Sequence, residues 1–142
     1  MDVEAVFEGL AAAAATITGL RTQPYVPDAV SPPVFFPAEL DIGYDKAFGG
    51  GMQDFTVTCR VLVSRADDRS GQKKLQGYLA AAGTTSIKAA LEGTRTQAAG
   101  ALGGACHDLQ VKRASGYGYY EHPSGLFYLG AEFEVYVIGR GD

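Results

Sequence analysis

The stretch SGLFYLGAEFEVYVIG, residues 124–139, decides the fold. Phe127, Leu129, Ala131, Phe133, Val135 and Val137 fall on one alternation phase, and Tyr128, Glu132, Glu134, Tyr136 and Ile138 on the other. Successive side chains of a strand point to opposite faces, so the pattern predicts a half-buried strand with the first set inward. Its outer face, with two tyrosines, an isoleucine and two carboxylates, is suited to meeting other copies of the chain.

Moving back from this strand, HPSG (122–125) places Pro123 at the second position of a type I turn. The turn joins the strand to an earlier one in CHDLQVKRASGYGYY, beginning around Leu109 and Val111. FTVTCRVLVS (55–64) also alternates, with Phe55, Val57, Cys59, Val61 and Val63 inward. VFFPAELDIGY (34–44) reads as its hairpin partner across the glycine-rich loop DKAFGGGMQD (45–54), and Pro37 assigns that strand to an edge or a bulge.

Helices account for much of the remainder. Val3, Phe7, Leu10, Ala14 and Ile17 recur in steps of three and four, predicting an amphipathic helix over 3–18 that Gly19 stops. DDRSGQKKLQGYLAAAG offers Asp68 or Ser70 as a cap and Leu75, Tyr78, Leu79 and Ala82 as one face. SIKAALEG forms a second short helix from Ser86 to Gly93. RTQPYVPDAVSPP reads as an extended connection with no ladder, and TRTQAAGALGGA (94–105) as a surface loop. The order predicts an α+β domain over 1–142: a four-stranded, largely antiparallel sheet packed against an N-terminal helix and a central helix pair.

Composition excludes several classes of function. The chain is 46% hydrophobic and 20% charged, with a net charge of −4, which disfavours a general nucleic-acid binder. Charge is unevenly spread: residues 1–54 carry −6, residues 55–113 carry +5 and residues 114–142 carry −3. Opposite signs either meet between subunits or neighbour each other within one. Two cysteines, Cys59 and Cys106, make no disulfide framework. No apolar run is long enough for a membrane span, and Asp2, Glu4 and Glu8 replace the basic start of a secretion signal, so a soluble, cytoplasmically made protein is expected.

Catalytic patterns are missing. His107 and His122 are the only histidines, and no CxxC, HxxxH or HExxH spacing supplies the ligands of a zinc site. In CHD (106–108), strand geometry points Cys106 and His107 to opposite faces. FGGGM (48–52) lacks the GK[ST] ending of a phosphate loop. Asp67 with Asp68 read as helix-start residues, and Glu132 with Glu134 as a solvated or interfacial pair with no partner to tune them. The reading is a protein that is no enzyme and takes neither cofactor nor metal. The tyrosines of GYGYYEHPSGLFYLG leave two readings open, a ladder that stabilises the hairpin or an interface.

The order of these segments resembles the tail terminator (tail completion) proteins of long-tailed bacteriophages. The resemblance is carried by the amphipathic first helix, the hairpin VFFPAELDIGYDKAFGGGMQDFTVTCRVLVS, the pair DDRSGQKKLQGYL and SIKAALEG, and the closing VKRASGYGYY…FYLGAEFEVYVIG. It implies a virion protein at the head-proximal end of the tail, made in the bacterial host cytoplasm. It further implies a hexameric ring that caps the tail tube, ends its polymerisation and joins it to head–tail connector proteins. The implied partners are copies of the chain, the major tail tube protein and the connector. No membrane or sequence-specific nucleic acid is among them, although genomic DNA can pass through such a ring. On this reading the contact residues are Phe48, Gly49, Gly50, Gly51 and Met52 in the loop, and Tyr117, Tyr128, Tyr136 and Ile138 around the closing hairpin. Two alternatives stay open: a head–tail connector or minor tail protein of similar fold, and a small ligand-binding or enzymatic α+β domain.

Overall fold

A computed structural model describes residues 1–44, 51–65, 69–123 and 125–140. Helix α1 spans Val3–Ala14, followed by strands β1 (Arg21–Thr22), β2 (Val34–Gly43) and β3 (Met52–Arg65). Helices α2 (Arg69–Tyr78) and α3 (Ile87–Glu92) lead through two 3-10 turns, Gly93–Thr96 and Ala101–Gly104, into β4 (Asp108–Glu121) and β5 (Phe127–Arg140). The fold is α+β, as the alternation of segments predicts.

The sheet has five strands in the order β1-β2-β3-β5-β4. The pairs β2–β3, β3–β5 and β4–β5 are antiparallel, and β1 runs parallel to β2. The expected four-stranded sheet is thus its larger part. The fifth strand comes from the start of the proline-spaced segment, where Arg21 and Gln23 donate backbone hydrogen bonds to Pro33 and Phe35. No periodicity marks a two-residue strand, which is why the sequence shows only a connection there. β1 ends opposite Phe35, and β2 carries an irregularity between Pro37 and Glu39, so Pro37 lies on an unpaired edge beside a bulge.

All helices pack on one side of the sheet. Their apolar residues join Phe55, Val57, Cys59, Val61 and Val63 of β3 and Leu129, Ala131, Phe133, Val135 and Val137 of β5 in one core. α1 is capped by Asp2, whose carboxylate accepts from the Glu4 N–H, and it buries Val6, Leu10, Ala11, Ala13 and Ala14. Its buried stripe is therefore rotated from the expected one, leaving Val3 and Phe7 half-buried. The Ser86 cap of α3 matches the expectation, its hydroxyl accepting from the Ala89 N–H at 3.0 Å.

The 94–105 segment is more than a surface loop, because Thr94, Ala101 and Leu102 are buried. Leu102 adopts a left-handed φ of 54° and lies beneath α1. A Cβ at Gly9 would come within 2.8 Å of the Leu102 Cβ, so α1 can cross this turn only with a hydrogen at that position.

A second, smaller apolar cluster occupies the other face of the sheet. Val34, Phe36, Leu62 and Tyr128 are buried there, with Val30, Ala38 and Tyr120 against them. The proline-spaced segment folds back over this end: Val30 contributes to the cluster, Pro27 is buried, and its carbonyl lies 3.4 Å from His122 Nε2.

Candidate functional site

The outer sheet face is built by the residues that alternate with the core set. Arg60 on β3 directs Nε and Nη2 to Glu132 Oε2 on β5, at 3.1 and 2.6 Å. The same guanidinium lies 4.7 Å from the centre of the Tyr120 ring on β4, and the Tyr120 hydroxyl donates to the Gly116 carbonyl at 2.6 Å. Burial and then the Glu132 charge raise the Tyr120 hydroxyl above its ordinary pKa, against the opposing charge of Arg60. Glu134 faces Arg113 at 3.8 Å. Both carboxylates expected to lack partners are thus paired with arginines, because β3 and β4 flank β5 and bring basic residues to the matching registers.

The expected contact residues separate into distinct groups. Phe48, Gly49 and Gly50 lie outside the described residues, as do Asp67 and Asp68. Gly51 is exposed, and Met52 opens β3 half-buried opposite Arg140. Tyr128 is a correction: it is 6% exposed, because the folded-back segment and Tyr120 enclose it in the second cluster. Tyr136 remains on the outer face but is half-buried, its hydroxyl donating to Asp54 Oδ2 at 2.8 Å and its ring 4.7 Å from Lys112 Nζ. Ile138 is half-buried in a shallow depression with Arg95, Asp108 and Tyr136. Tyr128, Tyr136 and Ile138 therefore form no open apolar patch.

The exposed aromatic surface lies instead at the end of the β4–β5 hairpin. Tyr117, Tyr119 and Phe127 are 49%, 60% and 51% exposed. Tyr119 pairs with Leu129 and Phe127 with Glu121, where the hairpin closes through the Gly125 N–H to the His122 carbonyl at 2.8 Å. Leu126 on the hairpin, and Tyr25 and Val26 beside the Pro27 contact, are exposed too. Phe127 carries the inward phase of β5 yet lies outside the core, a second correction: the alternation continues past the point where helices cover it. The sequence marks the aromatic cluster itself, but not which members face water.

The sheet also has two edges with contrasting chemistry. The first part of β4 is closed by α3, whose Glu92 Oε2 accepts from the Val111 N–H at 2.9 Å while Lys88 Nζ donates to Glu92 at 2.6 Å. Arg95 and Asp108 form a further pair at 2.7 Å. Beyond Val111, residues 112–117 are exposed, starting with Lys112 and Arg113, and bulges fall between Val111 and Arg113 and between Ser115 and Gly118. At the opposite edge, β2 past the end of β1 presents exposed Glu39 and Asp41, neither in an ion pair among the described residues.

Partial burial works to raise the Glu92 carboxyl, but the Lys88 and Val111 hydrogen bonds and the charges of Lys88 and Arg95 outweigh it and hold the pKa below its ordinary 4.5. A carboxylate lowered on folding stabilises the native state above its unfolded pKa, and this contribution is lost as pH falls through the folded value. Glu92→Gln is therefore expected to lower stability at neutral pH by about 1 kcal/mol. It is also expected to flatten the dependence of stability on pH below 4.5, as measured by thermal melts at successive pH values.

An open cleft of about 730 Å³ lies where Met1, Asp2, Cys106, His107 and Arg140 meet. The Met1 ammonium donates to the Arg140 carbonyl. His107 is exposed, whereas the Cys106 thiol is buried and donates to the Ala101 carbonyl at 3.6 Å. Burial, with the nearby Asp108 charge, pushes that thiol up to about 11, the opposite of what an activated nucleophile needs. Among the described residues no group of His, Cys, Asp or Glu is arranged to hold a metal, and no helix is long and apolar enough to cross a membrane.

The fold and these surfaces define an α+β domain whose distinctive exposed features are an aromatic hairpin end and two differently charged sheet edges. No family model matches the chain, and no curated protein matches it.

Proposed function

We propose that the chain is a structural subunit of a phage tail, forming a hexameric ring that caps the tail tube and receives the head–tail connector. The resemblance in element order supplies the identity of the ring. The observation that supports a structural role is the aromatic end of the β4–β5 hairpin. Tyr117, Tyr119 and Phe127 present large apolar bodies to water along the end of the β4–β5 hairpin, a cost that docking on another protein relieves. This function requires surfaces rather than a reaction centre, so the paired carboxylates of the outer face act as structural fasteners between strands.

The test is the native mass of the purified chain, alone and mixed with tail-tube protein. A mass of about six subunits in either sample supports the ring. A strict monomer in both removes it. Hairpin docking is checked by Tyr119→Asp combined with Phe127→Asp. The expected result is at least about ten-fold weaker association with tail-tube protein or connector and a melting temperature within about 2 °C of the native chain. Undiminished association with both partners would assign the hairpin no role in docking.

A further inference from the structure

We infer that the two open sheet edges are complementary docking surfaces for a second copy of this chain: the Lys112–Arg113 edge of β4 meets the Glu39–Asp41 edge of β2 on the next copy. This rests on the ring reading above and specifies which surfaces would build it.

Three observations carry it. First, the strand order β2-β3-β5-β4 with antiparallel neighbours makes the two edge strands run in opposite directions. Copies rotated about an axis along the strands therefore bring β4 of one antiparallel to β2 of the next. Such a contact uses two different surfaces and repeats until it closes.

Second, the charges project on the same side of the sheet. Glu39 and Asp41 pair in register with Thr58 and Thr56, on the face away from the helices. Arg113 faces Glu134, and Lys112 lies over Tyr136, on that same face. The two edges therefore differ in sign, negative at β2 and positive at β4, so a rotated neighbour sets opposite charges beside each other.

Third, each edge is free over a limited stretch that includes its charged pair. β1 covers the start of β2, and Glu92 closes β4 at Val111. The bulges beside Lys112 and after Ser115 interrupt the free edge of β4, which suppresses indiscriminate strand pairing. Only a short contact is left, and in a short contact the side-chain charges decide which edge is accepted.

The experiment uses two variants of the full chain, E39R/D41R and K112E/R113E. The first carries basic residues on both edges and the second acidic residues on both, so each repels its own copies. Either variant alone is expected to need at least about 100-fold more protein for half-assembly than the native chain. Mixed in equal amounts they meet each other through opposite-sign contacts, and an alternating ring of native mass is expected to return. That recovery cannot come from misfolded protein. Native-like assembly by each variant alone, or failure of the folded mixture to assemble, overturns the edge pairing while leaving a ring built on other surfaces. A native chain that stays monomeric alone and with tail-tube protein overturns the ring reading and this inference together.

Discussion

Phe133→Ala is expected to destabilise the fold by about 3–5 kcal/mol, and Phe127→Ala by no more than about 0.5 kcal/mol. The two phenylalanines lie on one strand and one alternation phase. Phe133 is 2% exposed at the sheet centre, opposite Cys59 on β3 and Ala114 on β4, with the helices over it. Truncating it opens a cavity that rigid strands on both sides cannot fill, and the loss is a large fraction of the ~5–15 kcal/mol by which domains are stable. Phe127 is 51% exposed at the hairpin end and leaves no cavity. Denaturant melts of the two variants measure the contrast directly; equal losses would mean that the hairpin end is packed in solution.

Gly130→Val is expected to cost about 3 kcal/mol, from overpacking rather than from a void. A Cβ at Gly130 would run into the Val61 carbonyl oxygen, with Leu62 Cδ2 at 2.7 Å and Tyr120 Cδ2 at 3.3 Å. Leu62 and Tyr120 belong to the cluster that encloses Tyr128, so relief would have to displace backbone or disrupt that cluster. Melting of Gly130→Val and Gly130→Ala should show both destabilised, valine more so. A neutral alanine variant would mean that β3 and β5 separate more easily than their register implies.

The sequence made the core strands legible because burial on one face leaves a period of two. Phe55 through Val63 and Leu129 through Val137 are inward as that period requires. The same rule misplaced Phe127, since periodicity reports a face and says nothing of where the covering helices end. It set Tyr128 on the correct outer face but could not show its burial there, which comes from Val30 in a segment with no period of its own. The partners of Glu132 and Glu134 were hidden for a related reason. Arg60 is 72 residues from Glu132, and only the β3–β5 register brings them together. The aromatic composition of the closing hairpin was visible in the sequence, while the opposite signs of the two sheet edges needed the strand order.

Both native thiols are inside the protein, and this makes the chain its own opening gauge. Cys59 is fully buried in the central sheet, with its thiol strongly raised by desolvation. Cys106 lies at the entry to β4, beside the cleft at Met1 and Arg140. An alkylating reagent added to the native protein must wait for each site to open. Cys106 therefore times the local release of the β4 entry, and Cys59 the loss of the whole sheet. Because both native thiols are buried, a cysteine introduced at the exposed Tyr119 position is expected to take up a label first, giving one reporter on the hairpin and two internal clocks in a single chain.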